Sequence, residues 1–301
     1  YELRTIVTNP AAKYVMFMMP DPVLTTQGFS YNPGANAWTY FTSTNDSNRL
    51  NLLRILNTCV VETPNNELAN LGQPGFNGII STYGGECIRF NGNQIITGGT
   101  KDRNLTVTID SVKTSKNGKV VYLNNLLWFT YTPIAKHLEV LGNPAASEYN
   151  LFWNYLKNSA SMFSPTDFSI VGISGGSFYT ILVPNNNAIR AAITAGLLPG
   201  TAATPNFTPT TTADKVLVEK FLQYHIIDKR TLIPDGRDVG TFPTLLKNTA
   251  GDPVSISVTY PAGIFELSDV QNRKARQVAA QGNELSNRTV IHLIDNYLRY
   301  N

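Results

Sequence analysis

At 301 residues the chain is long enough for one large core or two ordinary domains, and its 42% hydrophobic share excludes a disordered polymer. Charged residues make up 15%, against about 25% in an average soluble chain, so Asn, Thr and Gly carry a surface of the kind that suits extracellular and cell-envelope proteins. The net charge of +3, with Arg273-Lys274-Ala275-Arg276 as its main basic cluster, implies no nucleic-acid partner. No stretch approaches the roughly 20 apolar residues of a membrane span. The first residue is Tyr1 rather than Met, which predicts a processed product whose missing leader carried the address.

The first predicted element is a strand in "YVMFMMPDPVL" at 14–24, an apolar run stopped by Pro20. Asp21 is the expected cap of a following helix, with Pro22 in its first turn. Trp38 and Tyr40 in "NPGANAWTYF" read either as hairpin packing or as aromatics that stack on sugars. At 50–62, "LNLLRILNTCVVE" predicts a helix with Leu52, Ile55, Leu56 and Cys59 on one face. The β-rich "GKVVYLNNLL" follows at 118–127, and a boundary is expected after Leu127. Beyond Pro133, "SEYNLFWNYLKNSASMF" (147–163) is helical in pattern.

A second series then repeats the first in order. "FYTILVPNNNAI" at 178–189 is a strand stopped by Pro184, with Asn185 or Asn186 as helix cap and Gly196 as the C-terminal stop. The Thr/Pro-rich segment 199–214 is an exposed insertion, and Thr211 with Asp214 caps the helix after it. That helix, in "KVLVEKFLQYHIID" (215–228), matches 50–62 and places Leu217, Val218, Phe221, Leu222 and His225 on one face. "TVIHLIDNYL" (289–298) matches 118–127. Two diverged copies of one domain account for the pattern, at 1–132 and 133–301.

These blocks resemble the fasciclin-like domains. The second copy shows "YTILVPNNNAI", "FLQYHII", "TFPTLLKNTAG" and "TVIHLIDNYL" in the family's order. The first shows "VMFMMPDPVL", "ILNTCVV", "IISTYGG" and "KVVYLNNLL", with Cys59 where the family has His, and with Tyr122 and Asn125 where His292 and Asp295 appear later. The resemblance implies an α+β fold of two tandem domains, each a wedge of two packed β-sheets with flanking helices. The first is divergent and shortened at its N-terminus. It also implies a non-enzymatic surface life, adhering to an extracellular protein or polysaccharide, and an envelope-anchored lipoprotein whose lipid sits on the missing leader. In animal members a Tyr-His region meets receptors, and Tyr224-His225 occupies that position, although helix periodicity assigns His225 to the apolar face.

The chemistry-bearing residues are few. Gly172-Ile173-Ser174-Gly175-Gly176 fits the nucleophile elbow G-x-S-x-G, which makes a serine hydrolase using Ser174 the alternative function. An elbow needs a helix directly after the serine, whereas here a strand-like run follows, so the stretch reads as a turn. His292 stands inside the apolar "VIHLI", where a general base could not meet substrate. His225 and His292 read as core residues, and Asp295 as a hydrogen-bonding carboxylate. The two cysteines, Cys59 and Cys87, admit one bridge but no framework, and nothing has metal-ligand spacing. No catalytic residue, cofactor or metal is therefore assigned.

Overall fold

The structure is a computed structural model that describes residues 8–40 and 46–301, the side chains of 37–40 and 46–49 excepted. It divides into two compact units, 1–130 and 131–301.

In the first unit β1 (Tyr14–Met18) buries Tyr14, Val15 and Phe17. Pro20 rather than Asp21 is the cap of α1 (Asp21–Thr26), because Asp21 already has helical geometry and lends its charge to the first turn. A hairpin of β2 (Phe29–Asn32) and β3 (Ala37–Tyr40) follows; the side chains of Trp38 and Tyr40 lie outside the described residues. Next come α2 (Asp46–Thr58) and β4 (Val60–Glu62). In α2 Ile55 is buried, but Leu56 is 42% exposed and does not belong to the core face. The sheet continues through β5 (Asn77–Ser81), β6 (Cys87–Asn91) and β7 (Gln94–Ile96), then the short α3 (Gly98–Asp102) and the closing hairpin β8 (Val107–Ser115) and β9 (Gly118–Leu123). Strand β9 lies parallel to β1, starting at Tyr14 opposite Gly118. A side chain at 118 would put its Cβ 1.7 Å from the Tyr14 carbonyl oxygen, so only glycine permits this register.

The second unit opens with α4 (Ile134–Gly142) and α5 (Asn150–Lys157). The helical pattern over 147–163 thus yields a helix of eight residues, and by Phe163 the chain is already in β10 (Phe163–Ser164), paired with β11 (Ser169–Ile170). Phe152, Trp153 and Leu156 from α5 join Leu138 from α4 in the larger core cluster. The fully buried β12 (Tyr179–Pro184) leads into α6 (Asn186–Thr194), then α7 (Thr212–Tyr224) and β13 (Ile226–Asp228). A meander of β14 (Gly240–Lys247), β15 (Pro253–Thr259), β16 (Glu266–Ser268) and β17 (Lys274–Arg276) precedes β18 (Glu284–Leu285) and β19 (Thr289–Ile294).

The strand orders, β4-β1-β9-β8-β7-β6-β5 and β17-β16-β15-β14-β13-β12-β19-β18, look different. They are one cyclic order opened at different seams. In the first unit β8 runs unbroken from its pairing with β7 to its pairing with β9. In the second unit the equivalent strand is split into β17 and β18, and a single bridge, Gln277 to Ile294, spans the split. Conversely β13 and β14 pair at Ile227 and Thr244, where the first unit has a bond from Tyr83 N–H to the Val60 carbonyl in place of a strand pairing among the described residues. Each unit keeps the same centre, a strand with an antiparallel neighbour on one side and the parallel closing strand on the other.

The register corrects two equivalences. Tyr14 matches Tyr179, so Gly118 matches Thr289 and Val121, not Tyr122, stands where His292 does. Asn124, not Asn125, is the counterpart of Asp295. The Asn124 side chain accepts from Thr108 N–H (2.7 Å), as the Asp295 side chain accepts from Arg276 N–H (2.7 Å).

Candidate functional site

Ser174 sits on an exposed turn closed by a bond from Ser177 N–H to its carbonyl, and its own N–H donates to the Tyr179 hydroxyl (3.0 Å). The next regular element is strand β12. A strand in that place cannot raise the serine on a strand-to-helix elbow. Among the described residues no histidine hydrogen-bonds Ser174, and each of the three histidines has a partner elsewhere.

His225 is the C-cap of α7 and is fully buried. Its Nδ1 donates to the Phe221 carbonyl (2.8 Å) and its Nε2 accepts the Leu298 N–H (3.2 Å), so one neutral tautomer satisfies both and ties the helix end to the chain beyond β19. Fully buried His292 uses the opposite tautomer. Its Nε2 donates to the Leu232 carbonyl (2.9 Å) while its Nδ1 accepts from the Gln277 amide (3.0 Å). Burial pushes both imidazoles down to about 4. Neither has a nitrogen left for a substrate or a metal.

Tyr224 is likewise 0% exposed, edge-on to His225 and Tyr300, with its hydroxyl donating to the Ser255 carbonyl. Burial raises its phenol well above the ordinary value. The Tyr224-His225 pair therefore offers a partner no surface in this structure. Helix position explains this: Tyr224, the last residue of α7, packs into a core cluster with Leu182, Ile227 and Leu298.

In the first unit Cys59 holds the position of His225: its carbonyl accepts Phe17 N–H (2.8 Å) as the His225 carbonyl accepts Leu182 N–H (2.8 Å). Burial pushes the Cys59 thiol up to about 12, an inert rather than a nucleophilic cysteine. Cys59 and Cys87 are both buried and are not bridged. Among the described residues no group of three His, Cys, Asp or Glu side chains is placed to hold a metal, and no helix is long and apolar enough to cross a membrane.

Sequence reasoning missed several polar anchors. Arg54 pairs with Glu86 (2.5 Å), both largely buried, and lies over the Phe129 ring (4.1 Å). His137 Nδ1 meets the Ser286 hydroxyl (2.7 Å) across 149 residues. No local pattern signals contacts of such sequence separation.

Concave surface remains where the Thr/Pro-rich insertion meets α5 and α7. Tyr155 holds the insertion, donating its hydroxyl to the Pro199 carbonyl (2.6 Å) and packing edge-on against Phe207 (4.9 Å). The resulting cleft of about 450 Å³ is lined by Ser159, Ser161, Thr208, Thr212 and the Lys215 and Glu219 of α7, with Phe207 as its aromatic wall. Hydroxyls, an ammonium and a carboxylate beside an aromatic ring supply the polar and apolar groups that a recognition surface uses.

A family model for the fasciclin domain matches residues 155–300. Among solved structures, a FAS1 domain pair from the insect cell adhesion molecule Fasciclin I is similar at 13% identity and a TM-score of 0.41, over 99% of this chain and 91% of that one. No curated protein matches.

Proposed function

With a fasciclin domain in the second unit and the same ring of strands in the first, we propose that the chain is a non-enzymatic adhesion-type binding protein at the cell surface or outside it. Its partner is an extracellular protein or polysaccharide, and the cleft at Phe207 is the contact face of the second unit. The same reading divides the chain into domains at 1–132 and 133–301.

The observation that carries the reading is the engagement of the histidines. Both ring nitrogens of His225 and of His292 are used inside the fold, and among the described residues no histidine hydrogen-bonds Ser174. A serine at its ordinary pKa without a base is a poor nucleophile. Incubation with a fluorophosphonate probe is expected to leave Ser174 unlabelled, and Ser174→Ala to leave stability and binding to extracellular-matrix proteins and polysaccharides unchanged. Stoichiometric labelling of Ser174 would replace this reading with the hydrolase.

A further inference from the structure

A pocket of about 240 Å³ in the first unit lies between the start of β1, the chain after β4 and the turn joining β8 to β9. Three lysines line it, Lys13, Lys116 and Lys119, and no Asp or Glu does. Two of the ammonium groups are held in place. Lys119 donates to the carbonyls of Leu68 and Ala69, and Lys13 donates to the Asn66 side chain (3.1 Å). Lys116, in the exposed turn, forms no ion pair among the described residues. Thr63, Thr114 and Ser115 also line it, and among the described residues their hydroxyls hydrogen-bond no other residue. Thr63 is 4% exposed.

The second unit supplies the comparison. By register Ser115 corresponds to Ser286, each the last residue before the closing turn. There the place is filled by the chain itself: His137 of α4 bonds the Ser286 hydroxyl, and Arg288 of the turn donates to the Gly176 carbonyl (3.0 Å). That corner is closed by a helix in the second unit, whereas among the described residues of the first it is lined by lysines and hydroxyl side chains.

We propose that this pocket binds one anionic sugar residue of a polysaccharide, a hexuronate or a sulfated hexose. Its anion is taken by Lys13 and Lys116 and its ring hydroxyls by Thr63, Thr114 and Ser115. The volume is below the roughly 300–1,000 Å³ of drug-sized sites, which fits a single ring rather than a length of chain. Neutral hydroxyl partners beside the ammonium groups distinguish the site from one built for a carboxylate alone, since an acidic peptide side chain would leave them unpaired. The proposal rests on the chain being a binding module.

Titration calorimetry of the full chain with trigalacturonate, a sulfated heparin disaccharide, maltotriose and a polyglutamate peptide tests it. Expected are binding of an acidic sugar but not of maltotriose, weakening as salt is raised from 50 to 500 mM, and at least a tenfold loss in Lys13→Gln/Lys116→Gln. Both lysines are at the surface, so unchanged near-UV circular dichroism should show the double variant folded. Which acidic sugar binds decides between the uronate and the sulfate. Four results would each overturn the proposal: no binding of either acidic sugar at millimolar concentration, maltotriose binding equally well, polyglutamate binding better, or full affinity in the double variant. If the proposal fails while whole polysaccharides or matrix proteins are still retained and Ser174 stays unlabelled, the binding-module reading survives. Labelling of Ser174 would remove that reading whatever the sugars do.

Discussion

Single residues decide how the two copies differ in chemistry. His225 and Cys59 occupy one structural position, the end of the helix that enters the antiparallel neighbour of the central strand. The imidazole spans two backbone groups there, the Phe221 carbonyl and the Leu298 N–H, and a thiol is too short to span both. His225→Cys in the second unit should therefore cost about 1–2 kcal/mol, from one lost buried hydrogen bond and some packing. His225→Asp should cost more, about 3 kcal/mol or above, because a carboxylate would be buried beside the Phe221 carbonyl with no cation to pair it. Urea denaturation of both variants measures the order. Binding per folded molecule should be unchanged in the Cys variant. Normal stability with abolished binding would instead give Tyr224-His225 a direct role in partner contact.

At the scale of elements most stops and caps are legible because they are local, the cap at Pro20 rather than Asp21 being the exception. Asn185 caps α6 by accepting the Ala188 N–H (2.8 Å). Gly196, in the left-handed region at φ 75°, ends it, with Leu197 N–H returning to the Ala192 carbonyl and Gly196 N–H to that of Ile193. Thr211 caps α7 and Asp214 answers it, as their spacing predicts. Asn185→Ala should accordingly destabilise the second unit by about 1 kcal/mol, read as a lower urea midpoint with an unchanged m-value. Other features depend on neighbours that a local pattern does not contain. Leu56 has the right period for the core face, but how wide that face is depends on what packs against α2. The one-residue displacement from Tyr122 to Val121 arose because a strand's register is set by its partner, here β1 through Tyr14 and Gly118. Buried Val121 and 40% exposed Tyr122 show the consequence: one step along a strand turns a side chain to the opposite face. The same limit hid the lysine pocket, whose residues come from three separate stretches of chain.

For the whole molecule, the two copies should respond to acid differently. All three histidines lie in the second unit, and two of them are buried with pKa values held down to about 4 by desolvation. An unfolded histidine titrates near 6.5. As pH falls below that value the unfolded second unit takes up protons that the folded one refuses, so its stability, complete above pH 6.5, declines until both imidazoles are charged in either state near pH 4. Between pH 7.5 and 5.5 the loss is about 1–1.5 kcal/mol for each imidazole, while carboxylates at ordinary values remain largely ionised. Against a typical total of about 5–15 kcal/mol that is a resolvable share. The first unit, with Cys59 and Val121 at the equivalent positions, has no group that titrates in this window among those pairs. Hydrogen exchange on the full chain, corrected for the intrinsic pH dependence of exchange, should show opening free energies for core peptides of 131–301 falling by about 2–3 kcal/mol while those of 8–130 hold. In His225→Cys the fall should be roughly halved, since one of the two reluctant imidazoles is gone. An equal decline in both units, or an undiminished one in the variant, would place the acid response somewhere other than in these two buried rings.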